Sequence, residues 1–450
     1  MSNERSGFSS RLGFVLATAG SAVGLGNIWR FPYLAAKYGG GTFLLTYLIL
    51  TLTFGFSLMI TEVALGRKAG TSAIRAFGHF STKHTFIGYL TTIIPFIIFP
   101  YYCVIGGWVT KYALVSLQGG IHNAASDTFF TGFISKSAEP MICVLVFLIA
   151  TTVVVAGGVK GGVERVSTIM MPVLIVLLIG VSLFCITRPG AMAGVAYYLK
   201  PSLKGFGPTT ILAALGQLFY SMSLAMGIMI TFGSYMPKKA DLEKSVTQVE
   251  IFDTGVAFLA GLMIVPAVFV FSNGDSSMLA KGPSLMFVML PKVFDSMAFS
   301  SVIAAVFFIL VLLAALTSSI SLLETLVAVL MDKFHMKRGT ACITMFIIAL
   351  LLAVPSSLGF GAWSNITILG FDFLDFFDFI SNSVLMPIAA FLTCLFVGYI
   401  IKPKVIVDEV ESSEFKRKSL FLIMVKYIAP ICIVAILVFS VLEGLGFITV

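Results

Sequence analysis

Apolar runs of about 20 residues follow one another along the whole chain, and each is long enough to cross the hydrocarbon core of a bilayer. The sequence is 58% hydrophobic and 11% charged, whereas soluble domains carry about 25% charged residues. Because lipid offers no hydrogen-bond partners, a spanning segment must pair its own backbone groups, as a helix does. The sequence therefore predicts an all-α polytopic membrane protein.

These runs predict about 11 transmembrane helices in a single transmembrane domain over residues 1–450. The approximate bounds are 11–36, 42–66, 87–118, 141–157, 166–187, 208–236, 247–272, 298–331, 340–354, 370–401 and 419–443. The loop 273–297 contains an apolar stretch too short to span, so we expect a re-entrant or capping helical hairpin there. The charged N-terminus leads into no short apolar run with a cleavage site, so no cleaved signal peptide is expected.

The basic residues indicate the orientation in the membrane. Lys and Arg are in excess in the loops that lie on the side of the N-terminus, which places the N-terminus in the cytoplasm. An odd number of spans then places the C-terminus outside. The net charge of +8 is accounted for by these loops, so the bilayer and not a nucleic acid is the expected partner. The six cysteines lie in apolar segments without metal-ligand spacing, and the four histidines lie in loops.

The first apolar run contains an unusual stretch from Gly20 to Pro32, with three glycines, Asn27 and Arg30. A Gly-x-Gly-Asn sequence followed one turn later by an arginine is costly inside a bilayer. Irregular backbone is tolerated at this depth only where it lines a cavity or a binding site. We therefore predict that this stretch is the centre of function.

A second interruption lies five spans later, where Gln217, two serines and two glycines break the sixth run. Paired broken helices at corresponding positions are typical of transporter binding sites. In the eighth run Thr317 and Ser318 share one helix face with Ala314, and hydroxyls beside a carbonyl suit a small cation. Serines that bond back along their own helix and small residues that allow close helix packing remain alternative explanations.

Charged residues inside the spans are functional candidates by default. Arg30 follows the first break, and Asp378 lies near the outer start of the tenth span, so the two are expected to meet at the outer face. Asp253 has no Lys or Arg nearby in the sequence. Its carboxylate needs a partner inside the membrane, and a bound cation would serve. Glu62 is interpreted as a brace for helix ends, and Glu324 either lines an inner aqueous path or forms structural hydrogen bonds.

Gly20 to Pro32, the spacing from Ser221 to Asp253 and the Ala-x-x-Thr-Ser-Ser of 314–319 resemble the neurotransmitter:sodium symporter family. The resemblance covers nearly the whole chain and is strongest for the bacterial amino-acid transporter branch with eleven spans. It implies an inverted five-plus-five repeat with broken helices 1 and 6. Repeat one would cover about 11–187 and repeat two about 208–401, with an extra helix at about 419–443.

The resemblance also implies two Na⁺ sites and a site for an amino acid, but no enzymatic activity. The implied sodium ligands are Ala22, Asn27, Ser221 and Asp253 at one site, and Gly20, Val23, Ala314, Thr317 and Ser318 at the other. The implied substrate-binding residues are Ala22, Gly24, Leu25, Gly26, Ile98, Tyr102, Tyr220, Ser221, Ser223, Ala225, Met226, Ser319 and Leu322. A half-helix N-terminus would favour the substrate carboxylate, and a sodium ion shared with that carboxylate would couple the two binding events.

Two gates are implied as well. Arg30 with Asp378 would close the outside, with Tyr102 and Tyr220 as a lid over the substrate. The inner gate would pair Arg5 with Asp332, supported by Tyr235 and Glu324.

The sequence departs from the family at two informative positions. Asp253 stands where many relatives have Asn, with Ala257 where chloride-dependent members have a serine. Our hypothesis is that the Asp253 carboxylate replaces chloride, so no chloride is expected. A second idea is that Asp253 carries a proton on the return step of the transport cycle. Ala225 stands where many relatives have Gly, and its methyl group reduces the volume left for the substrate. The neighbouring Met226 is flexible and could adapt to a bulky apolar substrate side chain.

The predicted function is sodium-coupled import of a neutral, hydrophobic or aromatic amino acid by alternating access, in a bacterial inner (plasma) membrane. An amino-acid-gated ion channel or sensor on the same scaffold is the alternative. An intramembrane enzyme is disfavoured, because the sequence has neither an HExxH motif nor a histidine inside a span.

Overall fold

The computed structural model describes residues 7–202, 206–272, 284–411 and 415–447. Over these residues the regular secondary structure is helical, and the only β pairing they contain is an isolated bridge between Ile368 and Phe371. The predicted all-α membrane architecture is confirmed.

The helices alternate with short loops from end to end. In chain order they are α1 (Arg11–Ala22), α2 (Gly26–Lys37), α3 (Gly41–Ala69), α4 (Ala73–Phe80), α5 (Thr82–Leu117), α6 (Ala138–Ala156), α7 (Val159–Ile186), α8 (Ala191–Leu199), α9 (Pro208–Ser221), α10 (Ile228–Tyr235), α11 (Leu242–Phe271), α12 (285–295), α13 (Ser300–Phe334), α14 (Arg338–Leu358), α15 (Phe373–Ile400), α16 (Lys404–Val410) and α17 (Lys418–Gly444). Two further short helices, Ile121–Ala124 and Phe129–Ile134, lie between α5 and α6.

The described residues contain nine helices long and apolar enough to span a membrane, and the bent pair α1 and α2 makes a tenth. The predicted count of eleven is reached only with the segment 208–235. That segment consists of α9, with 14 residues, and α10, with 8. Neither is long enough to span alone, because a helix rises about 1.5 Å per residue and the hydrocarbon core is about 30 Å thick.

Several helix ends follow from local capping chemistry. The Ser10 hydroxyl accepts a hydrogen bond from the Gly13 N–H at the start of α1. The Asp241 carboxylate accepts one from the Lys244 N–H at the start of α11. At the end of α3, Gly70 takes a left-handed conformation with φ +63°, which glycine adopts without strain. These caps fix where the spans begin and end.

The broken segments lie at the centre of the bundle. α1 packs against α10, α11 and α13, and α5 runs along α13. Nearly all residues of α1 and α10 are buried, whereas α7 and α17 expose many large apolar side chains on the outside of the bundle. The inverted repeat and the orientation in the membrane stay predictions.

The predicted hairpin at 273–297 is described only in its second half, where α12 forms and Leu285, Phe287 and Leu290 are buried. Its first half, 273–283, lies outside the described residues. The Phe287 ring contacts Trp29 and Trp108 edge to face, so α12 covers one end of the broken α1–α2 segment.

Candidate functional site

The first break lies where predicted. The chain bends by 56° between α1 and α2, and Val23 leaves the helical conformation with φ −76° and ψ 95°. The Gly24 N–H turns to the Asn27 side chain and donates to Oδ1 at 3.0 Å. The break therefore releases backbone groups from the helix ladder and directs them toward neighbouring helices.

The second break, between α9 and α10, contains residues in the left-handed conformation. Ser223, Ala225 and Gly227 all have positive φ, at +52°, +62° and +73°. A left-handed conformation is unfavourable for residues with a Cβ, so other contacts must hold it. One of them is a hydrogen bond of 2.8 Å from the Ala225 N–H to the Glu62 carboxylate. Glu62 thus braces a helix end, as predicted, and that end is the second break.

The two breaks contact each other directly. The Ser223 hydroxyl lies 3.0 Å from the Ser21 carbonyl oxygen and 3.2 Å from the Ser21 hydroxyl. The Gln217 amide donates to the Gly26 carbonyl at 3.0 Å. Residues about 200 positions apart in sequence therefore form one continuous wall at the centre of the bundle.

Asp253 lies at the centre of a first buried cluster. Its Oδ1 accepts hydrogen bonds from the Asn27 amide and the Ser221 hydroxyl, each at 2.7 Å. Its Oδ2 accepts one from the Tyr47 hydroxyl at 3.1 Å. All four residues are at most 2% exposed. A buried carboxylate surrounded by neutral oxygen and amide groups is a suitable ligand set for a small hard cation.

Tyr47 was missed in the sequence. It lies in an apolar run and shows no polar pattern, and it reaches Asp253 only because α3 packs beside the first break. The signal that could have found it is the unpaired Asp253 itself, which needs more than two partners.

The hydroxyl face of α13 forms a second cluster against the end of α1. The Ser318 Oγ lies 3.1 Å from the Ser21 carbonyl oxygen and 3.4 Å from that of Val23, with the Gly20 carbonyl oxygen at 3.5 Å. The Thr317 hydroxyl is 3.0 Å from the Ala314 carbonyl. The Ser318 hydroxyl has one proton and can donate to only one of these carbonyl oxygens at a time. The other carbonyl lone pairs at this point have no donor from Ser318, and such a group of oxygens is suited to a cation.

A cavity of about 40 Å³ lies between the breaks. Its lining includes all of the predicted substrate-binding residues except Ala225 and Ser319. The lining residues are Ser21, Ala22, Gly24, Leu25, Gly26, Asn27, Ile98, Tyr102, Tyr220, Ser221, Ser223, Met226, Ile228, Ser318 and Leu322. Among the described residues that line it, none is charged.

The two exceptions face other partners. The Ser319 hydroxyl lies 3.0 Å from that of Thr151 on α6, and the Ala225 backbone is held by Glu62. Ile228 is an apolar lining residue that the sequence did not single out.

Tyr102 and two glycines shape the cavity. The buried Tyr102 hydroxyl lies beside Ser318 and the Leu25 backbone without a hydrogen bond of good geometry to any described residue. A Cβ on Gly24 would approach the Ser318 Oγ to 2.6 Å, and one on Gly26 would approach the Tyr220 ring to 2.5 Å. At both glycines an added Cβ would force a neighbouring side chain of the site to move.

The predicted outer ion pair is not present: within the described part of the chain, Arg30 forms no salt bridge. Its guanidinium lies over the Tyr220 ring, 5.3 Å from the centroid. Asp378 instead accepts hydrogen bonds from the Tyr101 hydroxyl at 3.1 Å and the Asn382 amide at 2.5 Å. In this structure two neutral donors, and not Arg30, contact the Asp378 carboxylate. The closing of an outer gate by Arg30 and Asp378 stays a prediction.

The inner groups are partly as expected. The Tyr235 hydroxyl donates to Glu324 at 2.8 Å, but Glu324 also forms an ion pair with Arg338, which the sequence analysis missed. Asp332 accepts from the Ser72 N–H at 2.7 Å. Arg5 lies outside the described residues. Of the two roles considered for Glu324, the structure shows hydrogen bonding.

Comparison with known proteins shows similarity to sodium-dependent transporters over nearly the whole chain. The sequence model of the Sodium:neurotransmitter symporter family matches residues 5–132 and 128–445. A sodium-dependent transporter of Bacillus subtilis is 35% identical over 437 residues, which are 95% of this chain and 96% of that protein. One of Haemophilus influenzae is 34% identical over 452 residues, covering 97% and 98%.

Among solved structures, the crystal structure of MhsT in complex with L-phenylalanine superposes with a TM-score of 0.88 at 38% sequence identity. The match covers 97% of this chain and 100% of that one. The similarity thus extends over all spans and is not confined to the broken helices.

Proposed function

The chain belongs to the Sodium:neurotransmitter symporter family, and from that premise we propose that it imports a neutral, hydrophobic or aromatic amino acid together with sodium. It is a transporter of a sodium-dependent family and not an enzyme. The observation that carries the proposal is the shared cavity of the two breaks, flanked by two separate oxygen clusters. A substrate there would contact groups from both breaks at once.

The chemistry of the lining supports the substrate class. The lining offers no fixed charge to an acidic or basic side chain, whereas Ile98, Met226, Ile228 and Leu322 supply apolar surface. The Tyr102 hydroxyl and the freed backbone at Leu25 and Gly26 are donors suited to a carboxylate. MhsT, one of the solved relatives, was crystallised with L-phenylalanine, which is consistent with a hydrophobic or aromatic side chain.

Two sodium ions are proposed as co-transported cargo. One would lie at Asn27, Ser221 and Asp253, beside the substrate carboxylate, and the other at Thr317 and Ser318 with carbonyls of α1. A carboxylate at Asp253 supplies the negative charge that offsets the first ion, so we propose transport without chloride.

In alternating access, the contacts of Arg30 with Tyr220 and of Glu324 with Arg338 would open and close the two ends of the cavity. The proposed location is a bacterial inner membrane with a cytoplasmic N-terminus.

The test is uptake of each of the twenty radiolabelled amino acids into proteoliposomes, with an inward gradient of sodium or of potassium. The proposal expects accumulation of apolar or aromatic amino acids with sodium alone. Preference for a charged amino acid would overturn the substrate class, and equal uptake in potassium would overturn the coupling. A sodium current without amino acid would favour the alternative of a channel on this scaffold.

A further inference from the structure

Far from the central cavity, an open groove of about 550 Å³ lies between α16 and the start of α17. Four lysines and two carboxylates line it, so it carries net positive charge. These are Lys402, Lys404, Lys418 and Lys426 with Asp408 and Glu411. The loop that contains α16 joins the ends of two spanning helices, which places the groove at the membrane–water boundary.

The lysines differ in their pairing. Lys418 forms an ion pair with Glu411 at 2.6 Å. Lys402, Lys404 and Lys426 form no salt bridge with any residue that the structure describes, and Lys402 and Lys404 are exposed. Three cationic groups thus converge on one groove without a carboxylate partner, so the groove is electrostatically suited to an anion.

Lys426 is the informative member, because it lies inside α17 and not in the loop. Its ammonium lies 5.9 Å from the Tyr399 ring centroid and 5.5 Å from that of Tyr427. The Tyr399 hydroxyl donates to the Lys426 carbonyl at 2.6 Å. A lysine within a span whose stem follows aromatic rings toward the boundary directs its charge to headgroup level.

The groove has a fixed inner wall and a lipid-facing edge. Glu409 on α16 pairs with the buried Arg67 of α3 at 2.8 Å, so α16 is anchored to the bundle. On the other side, Ile423 and Tyr427 are 51% and 56% exposed. An occupant would therefore contact cations at one end and an apolar, membrane-facing surface at the other.

We propose that this groove binds one anionic phospholipid, with its phosphate at Lys402, Lys404 and Lys426 and its acyl chains against Ile423 and Tyr427. A soluble anion would use the lysines but gain nothing from the apolar edge, whereas a phospholipid matches both. The site is independent of the transported substrate.

Native mass spectrometry of the full-length protein tests this with phosphatidylglycerol and phosphatidylcholine of identical acyl chains. Each lysine near an anionic headgroup contributes about fivefold in affinity. The variant K402Q/K404Q/K426Q is expected to bind the first phosphatidylglycerol about 100-fold more weakly. The control K83Q/K239Q/K337Q removes the same charge from exposed lysines elsewhere and should bind as the unmodified protein does.

If the triple variant does not fold, K402Q/K404Q changes only exposed side chains and should still weaken binding about 25-fold. Two outcomes would overturn the proposal. One is equal weakening in the groove and control variants, which would indicate general electrostatic attraction. The other is phosphatidylcholine binding as tightly as phosphatidylglycerol.

Discussion

The amide of Asn27 donates a hydrogen bond of 2.7 Å to the carboxylate of Asp253, 226 positions away in the sequence. This contact joins the first break to α11 and, through Ser221, to the second break. A displacement of one broken helix therefore changes the surroundings of Asp253. We regard this triad as the link between ion binding and substrate binding.

Replacement of Asp253 by Asn tests the role of its charge. The variant keeps the shape but loses the negative charge that offsets a cation, and a hydrogen bond to a charged group is worth about 1.5–3 kcal/mol. We expect sodium-driven uptake to fall about 10- to 100-fold, with partial rescue by chloride. The measurement is uptake in chloride and in gluconate. An unmodified protein that stops transporting in gluconate would contradict the proposal that Asp253 replaces chloride.

Thr317→Val tests the second cluster, because valine keeps the volume but removes the hydroxyl. Loss of one ligand should raise the sodium concentration needed for half-maximal amino-acid binding by about tenfold, equivalent to about 1.4 kcal/mol. Thr110→Val is the matched control, since within the described ranges the buried Thr110 hydroxyl bonds only to Gly106 in its own helix. Unchanged sodium titration in Thr317→Val would remove Thr317 from the site.

Gly24→Ala tests the close approach at the first break. The added methyl group would lie 2.6 Å from the Ser318 Oγ, so the Ser318 hydroxyl must turn away from the carbonyl oxygens of α1 or the break must shift. We expect amino-acid binding and sodium affinity to fall together. Gly180→Ala is the control, because its Cβ would meet no atom within 4 Å. Binding by Gly24→Ala at the unmodified affinity would show that the break is more adaptable than its contacts indicate.

Glu62→Ala leaves the Ala225 N–H without its acceptor, whereas Glu62→Gln retains a carbonyl oxygen. A buried donor left unsatisfied costs about 1–3 kcal/mol, so Glu62→Ala should lower the melting temperature and slow uptake. Glu62→Gln should have a melting temperature and an uptake rate close to those of the unmodified protein. The two measurements are thermal unfolding in detergent and initial uptake rate. Equal loss in both variants would point to the charge of Glu62 and not to its hydrogen bond.

The two breaks could be predicted from sequence because glycines, Asn27 and Gln217 are conspicuous against apolar surroundings. Tyr47 and Arg338 could not, since their roles arise from partners on distant helices and leave no local pattern. Arg30 was paired with Asp378 by position and by the family resemblance, whereas in the structure its guanidinium lies over the aromatic face of Tyr220. Lys426 had no predicted role, because the groove it faces forms only where α16 and its preceding loop pack beside the start of α17.

The most direct measurement of the central claim is equilibrium binding of L-phenylalanine and L-leucine to the purified protein in sodium and in potassium at equal ionic strength. Because a sodium ion at Asn27 and Asp253 would lie beside the substrate carboxylate, coupling of about 1–3 kcal/mol is expected. The account predicts binding in sodium that is at least about fivefold tighter than in potassium. Equal affinity in the two salts would contradict it.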